Sequence, residues 1–344
     1  MLQSYKILLL FLFLSLMSCT SNEKELSVLQ FNIWQEGTMV ENGFAAIVDN
    51  IIHVNPEMVT FSEVRNYEDV DFISHLISKL NEKGAIYYGE PNVSTGIISK
   101  YPIKDQTYIY PYHNDQGSVL KTSIEVGSKT IALYSAHLDY RHYACYLPRG
   151  YSGATWEKLE EPITDPDSIL AANQKSHRLE AVEKFIADAK KEIEKEHIVI
   201  IGGDFNEPSH LDWQENTKDL WEHNGAIVEW DCSKALYESG FRDTYREFYP
   251  DAVNYPGFTF PSDNADAPAT KLTWAPDADE RERIDFIYYY PTKNITIKSA
   301  TLVGPSSSIV RSQRVEEQSK DKFITLDRVW PTDHKAVLST FIIK

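Results

Sequence analysis

The stretch 198–207, Ile-Val-Ile-Ile-Gly-Gly-Asp-Phe-Asn-Glu, constrains this chain more than any other. Four apolar residues in a row, Ile198 to Ile201, read as a short strand with no polar face, so it belongs in a sheet covered on both sides. Gly202 and Gly203 then let the backbone turn and approach another group closely. Asp204 and Asn206 follow two positions apart, which along extended backbone points both side chains the same way. A carboxylate and a carboxamide aimed into one space suit a phosphate held near a metal, or a proton handled at a leaving oxygen. Taken alone, the stretch reads more simply as a strand followed by a polar turn.

The same pattern recurs along the chain. A β-prone run at 26–31 ends in Asn32. Periodicity predicts a helix over 43–53, with Phe44, Ile47, Val48, Ile51 and Ile52 on one face, stopped by Asn55-Pro56. A strand at 58–61 runs into Ser62-Glu63-Val64, which sets Glu63 among apolar neighbours. A buried carboxylate needs a partner, and a metal is one. A second amphipathic helix is predicted over 69–83, and a strand over 96–103 is stopped by Pro102. A hairpin around Gly127 joins 120–125 to 130–134 and delivers His137. A long helix is predicted over 173–191 and a short one over 234–240. Asp285 is embedded in a strand at 283–288, another strand covers 295–303, and Asp333-His334 precede a central last strand at 336–343. Residues 160–168 and 306–320 read as loops, the second mobile.

Residues 140–151 concentrate Arg141, His142 and Arg149 with four tyrosines, in a chain otherwise short of positive charge. Placed over the His137 strand end, the segment would form an anion- or sugar-binding wall. The other reading is a packed aromatic loop. With Trp274, it is the expected seat of substrate specificity.

One polar group at a strand end is weak evidence, but six in order are specific. The words Gln30-Phe31-Asn32, Ser62-Glu63-Val64, 96–103, Ala136-His137-Leu138, Gly202-Gly203-Asp204-Phe205-Asn206, 283–287 and Thr332-Asp333-His334 resemble those of the endonuclease/exonuclease/phosphatase superfamily, the metal-dependent phosphoesterases related to pancreatic deoxyribonuclease. They span about 28–343. The resemblance implies an α/β fold, a four-layer α/β sandwich of two packed mixed β-sheets flanked by helices, over 26–344. It implies hydrolysis of a phosphate ester by in-line attack of water, with Mg²⁺, or Mn²⁺ in its place, as cofactor. Glu63 would be the principal metal ligand, with Asn32 and Asp333 near it. His334, oriented by Asp285, would activate water or stabilise the phosphoryl oxygens. Asp204 would manage the water or leaving-group proton, and Asn206 and His137 would donate to non-bridging oxygens. Words common to the whole superfamily do not choose among nucleic acid, a sphingomyelin-type head group and a phosphorylated small molecule. A binding protein that keeps the fold without catalysis is the alternative; it predicts damaged motifs, and none of the six sites is substituted.

Charge and the N-terminus bound the setting. A net charge of −17 repels long polyanions, although a local basic groove or a bound metal can reverse the sign at a site. Lys6, the apolar run 7–14 and Leu16-Met17-Ser18-Cys19 resemble a bacterial lipoprotein signal over 1–18, with Cys19 lipidated and 19–25 as a tether. The other reading is an ordinary secretory signal. The first makes the protein an exported, membrane-anchored monomer of the cell envelope with no obligate protein partner. Cys145 and Cys232 are either paired or two buried thiols.

Overall fold

The computed structural model describes residues 23–113 and 116–344. The signal at 1–18 and Cys19 lie outside the described residues. In chain order the elements are β1 (Lys24–Asn32), α1 (Gly43–Val54), β2 (Met58–Val64), α2 (Phe72–Glu82), β3 (Tyr88–Gly89), β4 (Ser94–Ser99), β5 (Ile103–Tyr110), β6 (Gly117–Val126) and β7 (Lys129–Leu138). They continue with α3 (Pro166–Asn173), α4 (Arg178–Glu194), β8 (Ile198–Asp204), α5 (Asp231–Glu238), β9 (Arg242–Asp243), α6 (Thr244–Phe248) and β10 (Asp285–Tyr289). The last are β11 (Ile295–Val303), β12 (Ser307–Val310), β13 (Gln313–Glu316), β14 (Phe323–Ile324) and β15 (Ala336–Ile343).

The strands form a seven-stranded sheet, β14-β11-β15-β1-β2-β4-β3, and a six-stranded sheet, β5-β6-β7-β8-β10-β9. Both mix parallel and antiparallel pairs. The period of two along each strand builds the layers. On β1, Leu26 and Val28 face the second sheet, and Leu29 and Phe31 face α1 and α2. On β8, Ile198 and Ile200 fill the space between the sheets, and Val199 and Ile201 pack against α4 and α5. Four layers result, helices outside and two sheets within.

Register brings the polar strand ends together. Asp204 closes β8 beside His137 on parallel β7 and opposite Asp285 on antiparallel β10. In the other sheet, Asn32 pairs with Ser62 on parallel β2. Strand β15 runs antiparallel to β1, so Asp333 and His334, just before it, arrive at the Asn32 end. The Ser62 hydroxyl fastens the two sheets here: it donates to the Ala136 carbonyl at 2.9 Å and accepts from the Asp204 N–H at 3.1 Å.

The two glycines before Asp204 are there for close approach. A Cβ at Gly202 would lie 2.4 Å from Thr60 Oγ1, and one at Gly203 would lie 2.5 Å from the Ala136 carbonyl oxygen. Backbone cannot swing aside as a side chain can. Gly203→Ala is therefore expected to cost about 1–3 kcal/mol, the range for overpacking a filled interior. It should also slow catalysis, because Asp204 is the next residue. An unchanged melting temperature would mean that β7 and β8 separate more freely than their contact suggests.

Four sequence expectations need correction, and one left open, the state of the two cysteines, is decided. Residues 160–168 are not all loop: Asp165 caps α3 by accepting from the Ser168 N–H, and Pro166 suits its first turn. The long helix consequently starts later, at Arg178. Residues 306–320 carry the β12–β13 hairpin, which turns at Arg311 and Ser312, both in the left-handed region (φ 50° and 60°), and buries Ile309. Lys24 and Glu25, placed in the tether by sequence, already pair with Ile343 and Ile342 in β1. Cys145 and Cys232 are buried, unpaired thiols.

Candidate active site

Six polar positions predicted from sequence meet at one end of the sandwich. Asn32 is fully buried and turns its amide nitrogen to Asp204 Oδ2 (2.9 Å) and Glu63 Oε1 (3.1 Å), while its Oδ1 accepts from the Trp34 N–H (2.9 Å). It thus orients two carboxylates, one of them Glu63, and stands beside the expected metal ligands as the sequence suggested. Glu63 is the extra residue of a bulge between Ser62 and Val64 and has φ 72°. A left-handed conformation at a non-glycine residue re-aims the side chain out of the pleat, a device common beside functional sites. Its Oε2 accepts from the Gln35 N–H at 2.9 Å.

His334 is the centre of the constellation. Its Nδ1 lies 2.8 Å from Asp285 Oδ2, and its Nε2 lies 4.0 Å from both Asp204 Oδ2 and Asp333 Oδ1. Burial pulls the imidazole pKa down, but the Asp285 charge and hydrogen bond, with the charges of Asp204 and Asp333, carry it up to about 10. Asp285 is itself set by Thr259, whose hydroxyl accepts from the backbone N–H groups of Ile284 and Asp285 at 3.1 Å. Burial, and then the neighbouring Asp285 charge, push Asp204 up to about 7. Burial pushes Asp333 to about 7 as well, with Glu63 adding repulsion that His334 opposes.

Asn206 donates one amide hydrogen to the Leu138 carbonyl (3.0 Å), which leaves the other for a ligand. His137 is held through Nδ1 by Ser94 Oγ (3.1 Å), which Ser118 supports in turn. Above these groups opens a cleft of about 550 Å³ whose lining includes Glu63, His137, Asp204, Asn206, Asp333 and His334. Half of its eighteen lining residues are Trp, Tyr or Phe.

The residues expected to bind substrate divide. Trp274 lines the cleft and is 55% exposed. Arg149 does not reach it. Its guanidinium is buried, ion-paired to Glu282 at 2.7 Å and bonded to the carbonyls of Cys145 and Asp279, so it holds the 140–151 loop from inside. Arg141 chelates Asp139 through Nε and Nη2, and neither it nor His142 is among the cleft-lining residues. The loop does supply the cleft wall, through Tyr140, Tyr143 and Tyr146. Sequence reasoning gave no role to Gln30, which contacts Ser62 Oγ (3.0 Å) and Asp285 Oδ1 (3.5 Å). Its position two residues before Asn32, on the same face of β1, was the available signal.

Comparison with known proteins now bears on this geometry. A family described as "Endonuclease/Exonuclease/phosphatase family" matches residues 29–337. The chain belongs to this family. It is also 30% identical over 351 residues to the uncharacterized protein F14F9.5 of Caenorhabditis elegans, covering 97% of this chain and 98% of that one. Among solved structures, truncated Caenorhabditis elegans TDP2 superposes with a TM-score of 0.51 at 16% identity, over 93% of this chain and 98% of that one. The human Nocturnin catalytic domain, with a bound sulfate anion, gives 0.51 at 15% identity, over 93% and 94%. At such identities the two structures speak for the fold alone.

As a member of the endonuclease/exonuclease/phosphatase family, the chain is a metal-dependent phosphoesterase. The donor set fits a divalent cation: Glu63, Asp204 and Asp333 set three carboxylates around one cleft, where Asp204, Asp285 and His334 also place ligand atoms within 4.8 Å of one another, all buried. The raised pKa values of Asp204 and Asp333 mark excess negative charge in the same place, which a cation would relieve.

Proposed function

We propose that the chain hydrolyses a phosphate ester by direct in-line attack of water, with Mg²⁺ held chiefly by Glu63 and assisted by Asp333. Mg²⁺ takes one or two carboxylates and keeps the rest of its shell for water and phosphate. The partners of Asp285 and His334 favour this division, since their shortest contact is to each other. When bound, the metal supplies Lewis acidity at the phosphoryl oxygens.

The observation that carries the reading is the buried Asp204 carboxylate standing 4.0 Å from His334 Nε2, with the imidazole fixed through Nδ1 by Asp285 at 2.8 Å. A carboxylate so placed can take the proton of the attacking water and return it. His334, protonated at neutral pH and fixed by Asp285, donates from Nε2 to a non-bridging oxygen that gains charge in the transition state. Asn206 and His137 bind other phosphoryl oxygens from the six-stranded sheet. No side chain is needed as a covalent nucleophile.

The test is release of p-nitrophenol from bis-p-nitrophenyl phosphate. Mg²⁺ should support it and EDTA abolish it; EDTA-resistant turnover would sink the metal-dependent reading. A pH dependence follows for metal binding itself. Below about 7, Asp204 and Asp333 hold protons that the cation must displace. Calorimetric Mg²⁺ affinity should therefore fall as pH drops through 7 and level off above it. A flat profile from pH 5 to 8 would place the metal away from these carboxylates.

For the N-terminus, Lys6, the apolar 7–14 run and Cys19 support export and lipid anchoring. Metabolic labelling with a fatty acid, lost on Cys19→Ser, tests it.

A further inference from the structure

The two strands that deliver His137 and Asn206 part company at the site. Strands β7 and β8 pair in parallel as far as His137 opposite Asp204, and the ladder stops there. Asp139 to His142 on one side, and Phe205 to Glu207 on the other, run on outside both strands. Asn206 Nδ2 donates across the gap to the Leu138 carbonyl at 3.0 Å. A donor aimed at a phosphoryl oxygen must keep its place to about 0.5 Å, which calls for support from behind.

A buried arginine supplies it. Arg178 opens α4, is fully enclosed, and uses all five of its N–H donors across this gap. Nη1 donates to the carbonyls of Asp139 (2.6 Å) and Arg141 (2.8 Å), and Nη2 donates to that of His142 (2.9 Å). On the other side, Nε donates to Glu207 Oε2 (3.4 Å), and Nη2 also donates to Asn173 Oδ1 (2.5 Å). Asn173 Nδ2 in turn donates to Glu207 Oε2 at 2.7 Å, and Glu207 Oε1 accepts from the Cys232 N–H at 2.7 Å. Glu207 is buried and directly follows Asn206. The guanidinium fork therefore ties the segment that leaves His137 to the segment that carries Asn206. An apolar filling of the same shape is often as stable as a buried ion pair. What the fork adds is fixed, planar geometry.

We propose that Arg178 is a positioning residue for the hydrolysis, holding Asn206 at the distance from His137 that two oxygens of one phosphoryl group require. The proposal rests on the reading above, in which both side chains donate to those oxygens. His137 is held separately, through Ser94 and Ser118, so the effect of the fork falls on Asn206. Glu207 and Asn173 complete the bracket. None of the three lines the cleft, so each acts through Asn206 and not on the substrate.

The test is Arg178→Lys, which keeps a positive charge beside Glu207 but replaces the planar fork with a single point of donation. With Mg²⁺-loaded protein and bis-p-nitrophenyl phosphate, kcat should fall by about 10²-fold, the scale of a group displaced by a change remote from the chemistry. KM and calorimetric Mg²⁺ affinity should hold, because Glu63 and Asp333 sit outside the bracket. Glu207→Gln should move kcat the same way by less. The deciding measurement is a double-mutant cycle on kcat of the folded protein. In an Asn206→Ala background, Arg178→Lys should cost little more, since the group it positions is gone. A merely structural arginine would multiply the two losses, and that result would overturn the proposal. So would normal kcat in Arg178→Lys, or a loss of Mg²⁺ affinity that matches the loss of turnover. If Arg178→Lys does not fold, Glu207→Gln takes its place in the cycle with the same two outcomes. The two readings fail separately. Parent protein inert towards bis-p-nitrophenyl phosphate sinks the phosphoesterase reading, whereas an active parent whose two losses multiply sinks the bracket alone.

Discussion

Asp204→Asn should lower kcat on bis-p-nitrophenyl phosphate by about 10³-fold at saturating Mg²⁺, within the range expected for losing a positioned acid–base group. The same protein should melt no lower than the parent. Both halves follow from one fact, the upward push of the Asp204 pKa to about 7. A raised carboxylate pKa means that the folded protein binds a proton more tightly than the unfolded chain does. Between the ordinary carboxylate value and 7, stability contributed by this group therefore falls as pH rises. Asparagine removes that cost and the chemistry together. His334→Ala should be of similar kinetic severity, because it takes away the charge that faces the phosphate. Near-normal turnover in either variant would remove these residues from the reaction. A large fall in melting temperature for Asp204→Asn would show that the carboxylate holds the sheets together rather than serving catalysis.

Arg149→Met is expected to act on stability instead of chemistry. The guanidinium is fully enclosed and pairs with Glu282, whose carboxyl burial pushes up to about 7 even though Arg149 opposes the shift. Deleting one partner strands the other, at about 3–5 kcal/mol for a buried pair. The melting temperature should drop sharply, while the folded fraction keeps its KM. The double replacement, Arg149→Met with Glu282→Leu, should recover much of the loss, since well-packed apolar groups replace buried ion pairs at little cost. A raised KM at unchanged stability would return Arg149 to the substrate.

These two residues show how much was legible beforehand. Asp204 could be read because its setting is local: an apolar run, two glycines and a polar pair define a strand end without knowledge of the rest. The same holds for Asn32, Glu63 and His334, and the alternation of strands and helices gave the layers. Arg149 could not be read, because whether an arginine in an aromatic loop faces solvent or the interior depends on Glu282, a residue far along the chain. The arginine-rich look of 140–151 suggested anion binding, and the fold spent that charge on holding the loop. The hairpin in 306–320 was missed for a related reason. Its polar composition matches a loop, and its one buried apolar anchor, Ile309, shows only in three dimensions. The aromatic cleft was half visible, since 140–151 drew notice but Trp34 and Trp156 join it from other segments.

The closing of the seven-stranded sheet carries one more consequence. Strand β1 pairs directly with β15, Lys24 opposite Ile343, so the first and last described strands are neighbours. His334 and Asp333 stand immediately before β15. In chain order β15 is the last of the described strands, so this pairing cannot form until synthesis has reached it. During synthesis, a chain that has already built β8 and exposed Asp204 still lacks its imidazole and one carboxylate. The hydrolytic centre is thus switched on by the last seam of the sheet, and no partly made chain can carry it.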